Sequence, residues 1–578
     1  MRRLAASLAA PLALASCGDP SPVAPDAAAP MDVAADVTDA ARDVAPDASP
    51  RYEGPARVTV TRYDHAIDLE TRALTARLTL RVDAPGDCIT LGFRHPMAEE
   101  VRFGDAPARQ AKVANGTLLA CVDGGLGPGA TTVLTVRSTI PQTTLLPTQV
   151  GFSRRTNSAG RSFSYLLSWV GECGRVGPCD VAPSSFATYR FAVTHPAGTQ
   201  VLCPGEVTPG DTETVCVLDR RGAPTYSSFG VLALAGGWRE TDLGSAGTVR
   251  ITLHDTPRSR VAESIDRVHL RSFVGWMAER FGPYPYGDAL RFVTGPTYWS
   301  GFEHPGNIAL AETLTEGGRL DHTVRHEVAH QWAGDQTTVA AVKDFVWKES
   351  MAEYLSYVFE DENGLPDQAR ASLDTWMLAA SRADRYPVPD EDLALPAYYG
   401  NAYGPGPMIL FRQLEVMFSR RQVVDAIRMV LGRERTLSVD ELRMALEQTT
   451  GAQLDRYLRA WLRGTGAPAW PGVAVTRTPN PDGSLTVSVR VESRDAVVRP
   501  CRFRVRLTGD GGEALDVPFT VGLDGSAPAP ATVRPTFPVT GAVVNPESEA
   551  LVFEATTGSG ARWIDHVPTP GYDPFRAP

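Results

Sequence analysis

Two histidines and two glutamates in the middle of the chain have the types and spacing for metal chemistry. They form the run His326-Glu327-Val328-Ala329-His330, with Glu349 following after eighteen intervening residues. Residues four apart share a helix face, so a helix here aims the imidazoles of His326 and His330 at one point. Two neutral imidazoles and one carboxylate suit a zinc ion, one per chain, with a fourth position left open for water. Glu327 falls near the same point yet outside the ligand set. That is where a general base must stand to move a proton of bound water. The plainer reading is a helix with two solvated histidines.

The residues after His330 discriminate among zinc hydrolases. A metzincin would place Gly three residues after the second His and a third His three residues further on. Those positions are Ala333 and Gln336. The chain instead continues Gln331-Trp332-Ala333-Gly334, then Asp344, then Lys348-Glu349-Ser350-Met351-Ala352-Glu353-Tyr354. This resembles the aminopeptidase N family of gluzincin peptidases, whose third ligand is a Glu at this distance. Other segments carry the same likeness over roughly residues 52–470. Phe281-Gly282-Pro283-Tyr284-Pro285-Tyr286 is similar to the lead-in to that family's catalytic domain. Gly301-Phe302-Glu303-His304-Pro305-Gly306 is similar to its substrate-binding strand. Tyr226-Ser227-Ser228-Phe229 and Gly236-Gly237 resemble the end of its N-terminal β-domain, and Tyr403-Gly404-Pro405-Gly406 falls where it keeps a catalytic Tyr. The departures are Phe302 for Met, His304 for Asn, Pro405 for Lys, and Val342-Lys343 for an aromatic pair.

The resemblance implies a zinc-dependent aminopeptidase. Its metal ligands would be His326, His330 and Glu349, its general base Glu327, and Tyr403 would donate a hydrogen bond to the oxyanion. Tyr398 and Tyr399 are nearby alternatives to Tyr403. Glu303 would receive the α-ammonium of a peptide or protein N-terminus, with Gly301 and Phe302 beside the substrate. The N-domain residue that would share this task is not clearly placed, Thr148-Gln149 being a candidate pair. A gluzincin endopeptidase, another zinc hydrolase, or a non-catalytic peptide-binding lipoprotein on the same fold are the rival readings. From the residues themselves, Asp344 is a candidate to fix the tautomer of a ligand imidazole. Glu353, one turn after Glu349, is a rival ligand. His322 precedes His326 by four residues, but eight residues of helix span about 12 Å, so His322 and His330 cannot share one ion and His322 reads as structural.

The catalytic residues need a scaffold, and the chain is long enough for several domains. An apolar share of 43% and a charged share of 21% are ordinary for globular protein. The net charge is −11, of which Gly18–Pro50 carries −6 through seven Asp and one Arg. So mild an acidic balance elsewhere argues against a nucleic-acid partner. Met1-Arg2-Arg3, the Ala/Leu-rich run to Leu14 and the small residues before Cys17 read as an export signal. Leu14-Ala15-Ser16-Cys17 resembles a bacterial lipobox, which implies lipidation of Cys17 and a periplasmic or cell-surface protein held on a membrane. Residues 18–50 hold no aromatic, Leu or Ile and read as a disordered tether.

The expected class is multidomain α+β. After the signal (1–17) and tether (18–50), residues 51–255 alternate as strands and form an N-terminal β-domain. Residues 256–470 turn helical and form the thermolysin-like zinc domain, broken by a Pro/Gly/Tyr-rich loop near Ala394–Pro407. Residues 471–578 return to short strands as a C-terminal β-sandwich and tail. Sequential pairing of the cysteines in the first β-region is the simplest arrangement: Cys88 with Cys121, Cys173 with Cys179, Cys203 with Cys216. Cys501 is left over as a buried thiol.

Overall fold

The computed structural model describes residues 51–143, 150–297, 299–315, 317–391, 393 and 404–555. The expectations for the signal, the tether, Cys17, Thr148-Gln149, Tyr398, Tyr399 and Tyr403 lie outside the described residues. The first region is β, as the alternation of the sequence requires. In Ala73–Ala84 every second side chain is buried, from Leu74 through Val82. This strand pairs antiparallel with Arg57–Asp68 and with Thr131–Thr139. Arg57–Asp68 also runs parallel to Phe186–Thr194, which closes the middle of an eight-stranded sheet. A three-stranded sheet and a four-stranded sheet complete this region. Its core holds stacked aromatic rings, Tyr63 against Tyr189 and His65 against Phe229.

The three disulfides are Cys88–Cys121, Cys173–Cys179 and Cys203–Cys216, the sequential pairing, and Cys501 is free and buried. Cys88 and Cys121 face each other across the antiparallel pair Gly86–Gly92 and Thr117–Leu126. Side chains in register on neighbouring strands are close enough to join.

The strand Val249–Asp255 does not belong to this β-region, contrary to the boundary expected at residue 255. It pairs parallel with Ala289–Gly295, which pairs parallel with Asn307–Ala311. Arg239–Ala246 and the short Gly301–Phe302 complete a five-stranded sheet on the edges. Alternation reveals a strand but not its partner, so the sequence could not assign this one to a sheet. The helical region expected from residue 256 opens in two pieces. A single turn, Val261–Ser264, precedes the helix Arg267–Phe281. Asp266 starts that helix by accepting hydrogen bonds from the Val268 and His269 amides.

Helix Gly317–His330 packs on helix Phe345–Glu362, and the latter packs on Pro366–Ser381. Further helices at Arg420–Val430, Val439–Thr450 and Asp455–Leu462 cover them. Residues 472–554 form two antiparallel-rich layers of four and three strands, the expected sandwich. Arg499 ties this sandwich to the helices. It pairs with Asp495, donates to the carbonyls of Ala460 and Ala469, and lies over the rings of Trp461 and Trp470. Among the described residues, no helix is long and apolar enough to cross a membrane.

Several histidines are locked in this interior as neutral bases. Burial pushes the pKa of His65 down to about 3 and those of His95, His254 and His304 down to about 4. In the unfolded chain each would take up a proton below about pH 6.5. Their contribution to stability is therefore complete above pH 6.5 and is lost as the pH falls towards 4. Each histidine accounts for about 1.4 kcal/mol per pH unit within that window. Thermal melting between pH 7 and 4.5 should show a falling Tm, and His65→Phe, which keeps the aromatic packing, should flatten the slope by one histidine's share. An unchanged slope in the variant would contradict this account.

Candidate active site

The three candidate metal ligands converge as the helix spacing requires. His326 and His330, one turn apart on Gly317–His330, face each other with Nε2 atoms 2.9 Å apart. Glu349, from Phe345–Glu362, brings its carboxylate within 3.4 Å of His326 Nε2 and 3.7 Å of His330 Nε2. All three are buried, and they form the one His/Cys/Asp/Glu group among the described residues whose atoms gather tightly enough for an ion. The outer nitrogens are committed elsewhere: His330 Nδ1 donates to the Ala333 carbonyl (2.9 Å) and His326 Nδ1 lies 2.9 Å from Glu353 Oε1. Both Nε2 lone pairs are thereby turned to one point, beside a carboxylate. That donor set fits a zinc ion.

The residue that fixes His326 is Glu353, not Asp344. Asp344 accepts from the Val439 amide (2.9 Å) and from the Ala341 amide (3.0 Å), the latter closing the short turn Val342–Asp344 that precedes helix Phe345–Glu362. It stands more than a turn before Glu349, so it cannot reach the ligand imidazoles. Glu353 is on the ligand face but one turn too deep to bind the ion. Its carboxylate accepts from His322 Nε2 (2.8 Å) and Trp376 Nε1 (3.3 Å). His322 in turn bonds Glu360 (2.7 Å), which pairs with Arg325 (2.7 Å). Burial opposes charge on His322, but Glu353 and Glu360 outweigh it and push its pKa up to about 10. His322 is structural, as expected, and serves as a charged strut behind the site. Holding the outer N–H of a ligand imidazole on a carboxylate fixes the ring and strengthens its inner nitrogen as a ligand.

Glu327 is buried beside the ligands, and its Oε2 has no hydrogen-bond partner among the described residues. Burial, with Glu303 and Glu349 adding their negative charge, raises its pKa to about 8 despite His326 and Lys348 nearby. A carboxylate in such surroundings takes a proton readily near neutral pH. Gly301 explains its own presence: a Cβ there would stand 2.4 Å from Glu327 Oε1. Only a glycine lets the strand Gly301–Phe302 pass so close to the base. Phe302 is buried and packs on His304. His304 joins the two halves of the structure, because its Nδ1 donates to the Ser227 carbonyl (2.6 Å) and its Nε2 accepts from the Tyr165 hydroxyl (2.9 Å). Gln331 braces the same turn. It accepts from the Gly306 amide and the Tyr284 hydroxyl, and its amide donates to the Glu303 carbonyl.

Glu303 lies in the site, but its carboxylate is already engaged. Its Oε1 is 2.7 Å from the Lys348 ammonium, which also touches Glu349 at 2.6 Å. Sequence reasoning passed over Lys348. Its signal was a lone charge in the run Phe345-Val346-Trp347, immediately before a metal ligand. Asp335 was missed too. Burial and the nearby Glu303 hold its pKa well above the ordinary range, and Ser227 donates to it at 2.6 Å. Gly406 passes so close to helix Phe345–Glu362 that a Cβ would stand 2.2 Å from Ser350 Oγ.

The close passage of Gly301 generates a test. Gly301→Ala should displace the Glu327 carboxylate and lower kcat at least tenfold, within the roughly 100- to 10,000-fold that general-base catalysis contributes. Metal content should stay at the wild-type level. A variant with full kcat would show that the strand does not confine the base.

Comparison with known proteins agrees with this geometry. Residues 308–461 match the Peptidase family M1 domain. Aminopeptidase N of Streptomyces lividans is 22% identical over 333 residues, which are 53% of this chain and 38% of that protein. Legionella pneumophila aminopeptidase A, solved in complex with aspartic acid, superimposes with a TM-score of 0.67 at 16% identity, covering 82% of this chain and 57% of that one. An M1 zinc metallopeptidase from Deinococcus radiodurans, bound to a Tyr-Ser-Ala substrate, gives 0.59 at 21% identity, covering 71% and 95%. This chain thus spans 38% of the Streptomyces protein and 57% of the Legionella one, less than two thirds of either. With His326, His330 and Glu349 gathered at one point and Glu327 beside them, the chain carries a Peptidase family M1 domain at residues 308–461 and is similar to aminopeptidase N.

Proposed function

We propose that the protein is a zinc-dependent aminopeptidase that removes residues from the N-termini of peptides. The observation that carries this reading is the burial of Glu327 and Glu303 beside the His326–His330–Glu349 triad. Zinc held by the triad would supply a Lewis acid that polarises the scissile carbonyl and acidifies water. Glu327 would accept the water's proton on its unpartnered Oε2 and pass it to the leaving amine. Glu303 would take the substrate's α-ammonium and so set which peptide bond meets the base. Tyr403 remains our choice for the donor to the oxyanion. Similarity to an aminopeptidase N and to a metallopeptidase solved with a tripeptide supports a peptide substrate.

Purified enzyme should release arylamine from free aminoacyl-arylamides and act poorly on their N-acetylated forms. Glu327→Gln should keep its zinc by elemental analysis yet lose about 100- to 10,000-fold in kcat, because an amide cannot accept the proton. If blocked peptides were cut internally as fast as N-terminal residues are released, the protein would be an endopeptidase. A zinc-loaded Glu327→Gln enzyme of full activity would remove the hydrolase mechanism itself.

We further propose that the chain is exported and anchored through a lipid on Cys17. Three disulfides suit an oxidising compartment. Wild-type protein should fractionate with membranes and Cys17→Ala should not. A Cys17→Ala protein that still pellets with membranes would refute the anchor.

A further inference from the structure

Lys348 is, among the described residues, the one lysine or arginine paired with the acidic groups of the site. Its side chain is 3% exposed, and its ammonium reaches Glu303 and Glu349 at once. The surrounding chain makes room for it. A Cβ on Gly334, whose φ is +150°, would stand 3.1 Å from Lys348 Cε and 3.0 Å from the Tyr226 hydroxyl. The ammonium also lies 5.5 Å from the Tyr226 ring centre and 5.1 Å from that of Phe345, within reach of cation–π attraction. Of 56 basic residues in the chain only three are lysines, Lys112, Lys343 and Lys348. A chain that uses arginine almost everywhere thus carries its compact cation at this buried point. An ammonium can touch two carboxylates from one position, whereas a guanidinium needs the room of a wide planar fork.

We propose that Lys348 is a specificity-determining residue: its ammonium occupies the Glu303 carboxylate meant for the substrate's α-ammonium, so a free N-terminus must compete with it. The proposal rests on the aminopeptidase reading of Glu303. Glu349 is assigned to the metal, which leaves Glu303 as the partner Lys348 retains. A carboxylate already neutralised by a buried cation offers an incoming ammonium less than a bare one does. A blocked N-terminus carries no charge and does not enter the competition. The pair therefore narrows the advantage of free over blocked N-termini. Removing the ammonium would leave Glu303 buried and unpaired, and a charge in that state demands a counter-ion strongly.

The test uses Lys348→Met, which keeps the stem without the charge, and Lys348→Gln, which keeps a polar donor beside Glu349. Each is made in the full-length zinc-loaded protein and also together with Glu327→Gln. Steady-state kinetics on alanyl-arylamide and its N-acetyl form give KM and kcat separately. Calorimetry of trialanine and N-acetyl-trialanine binding to the Glu327→Gln proteins gives Kd without turnover. KM and Kd for the free-amine ligands should fall about tenfold or more, the worth of a hydrogen bond to a charged group. The constants for the acetylated ligands should hold, and kcat should change little. Unchanged or weaker free-amine binding would overturn the proposal, as would equal shifts for both forms. Loss of zinc from both variants would also overturn it, since Lys348 would then serve Glu349. If the parent enzyme hydrolyses neither substrate, the aminopeptidase reading fails on its own. The calorimetric ratio still decides the role of Lys348.

Discussion

Four carboxyl groups, Glu303, Glu327, Asp335 and Glu349, are buried around one point, and the rest of the site follows from the need to balance them. A buried anion costs several kcal/mol unless a cation or a set of hydrogen bonds compensates it. Glu303 pairs with Lys348, and the other three differ in what compensates them. Glu349 lies against the two imidazoles and Lys348. Asp335 is held by Ser227 and Gln331, and burial together with the charge of Glu303 keeps its pKa high. Glu327 keeps its Oε2 without a hydrogen-bond partner among the described residues.

Behind the ligands a second layer of charge is almost closed on itself. Glu353, His322, Glu360 and Arg325 alternate in sign from helix to helix. They bind Gly317–His330 to Phe345–Glu362 by polar contacts where most of the interface is apolar. A half-satisfied network there would be worse than an apolar core. With Ser372 and Trp376 adding donors to Glu360 and Glu353, it fixes the His326 ring. The N-terminal β-region takes part as well, because Tyr165 and Ser227 hold His304, and His304 follows Glu303 directly. The turn that carries Glu303 is therefore set by residues far apart in the chain.

The legible parts of the sequence were those governed by local geometry. Helical periodicity placed His326 and His330 on one face, and the interval to Glu349 brought the third ligand in. Alternation marked residues 51–255 as strands, and Ala73–Ala84 and Phe186–Thr194 are among those that form. Cysteines paired in order because each pair lies on neighbouring segments of one β-region. The partner of Val249–Asp255 was not legible, since a strand's alternation is the same in either sheet. Nor was Asp344, whose bonds go to Ala341 and to Val439, the latter far along the chain.

By itself, then, the sequence determined that His326, His330 and Glu349 meet with Glu327 beside them, and the succession of β, α and β regions. These depend on spacings of a few residues along one element, where chain geometry leaves little choice. Only the tertiary structure decided which carboxylate steadies His326 and why Gly301 must lack a side chain. It alone put an internal cation on Glu303. Those outcomes depend on distances between elements that no local spacing encodes. They are set when the helices and the strand Gly301–Phe302 pack around a shared, buried charge.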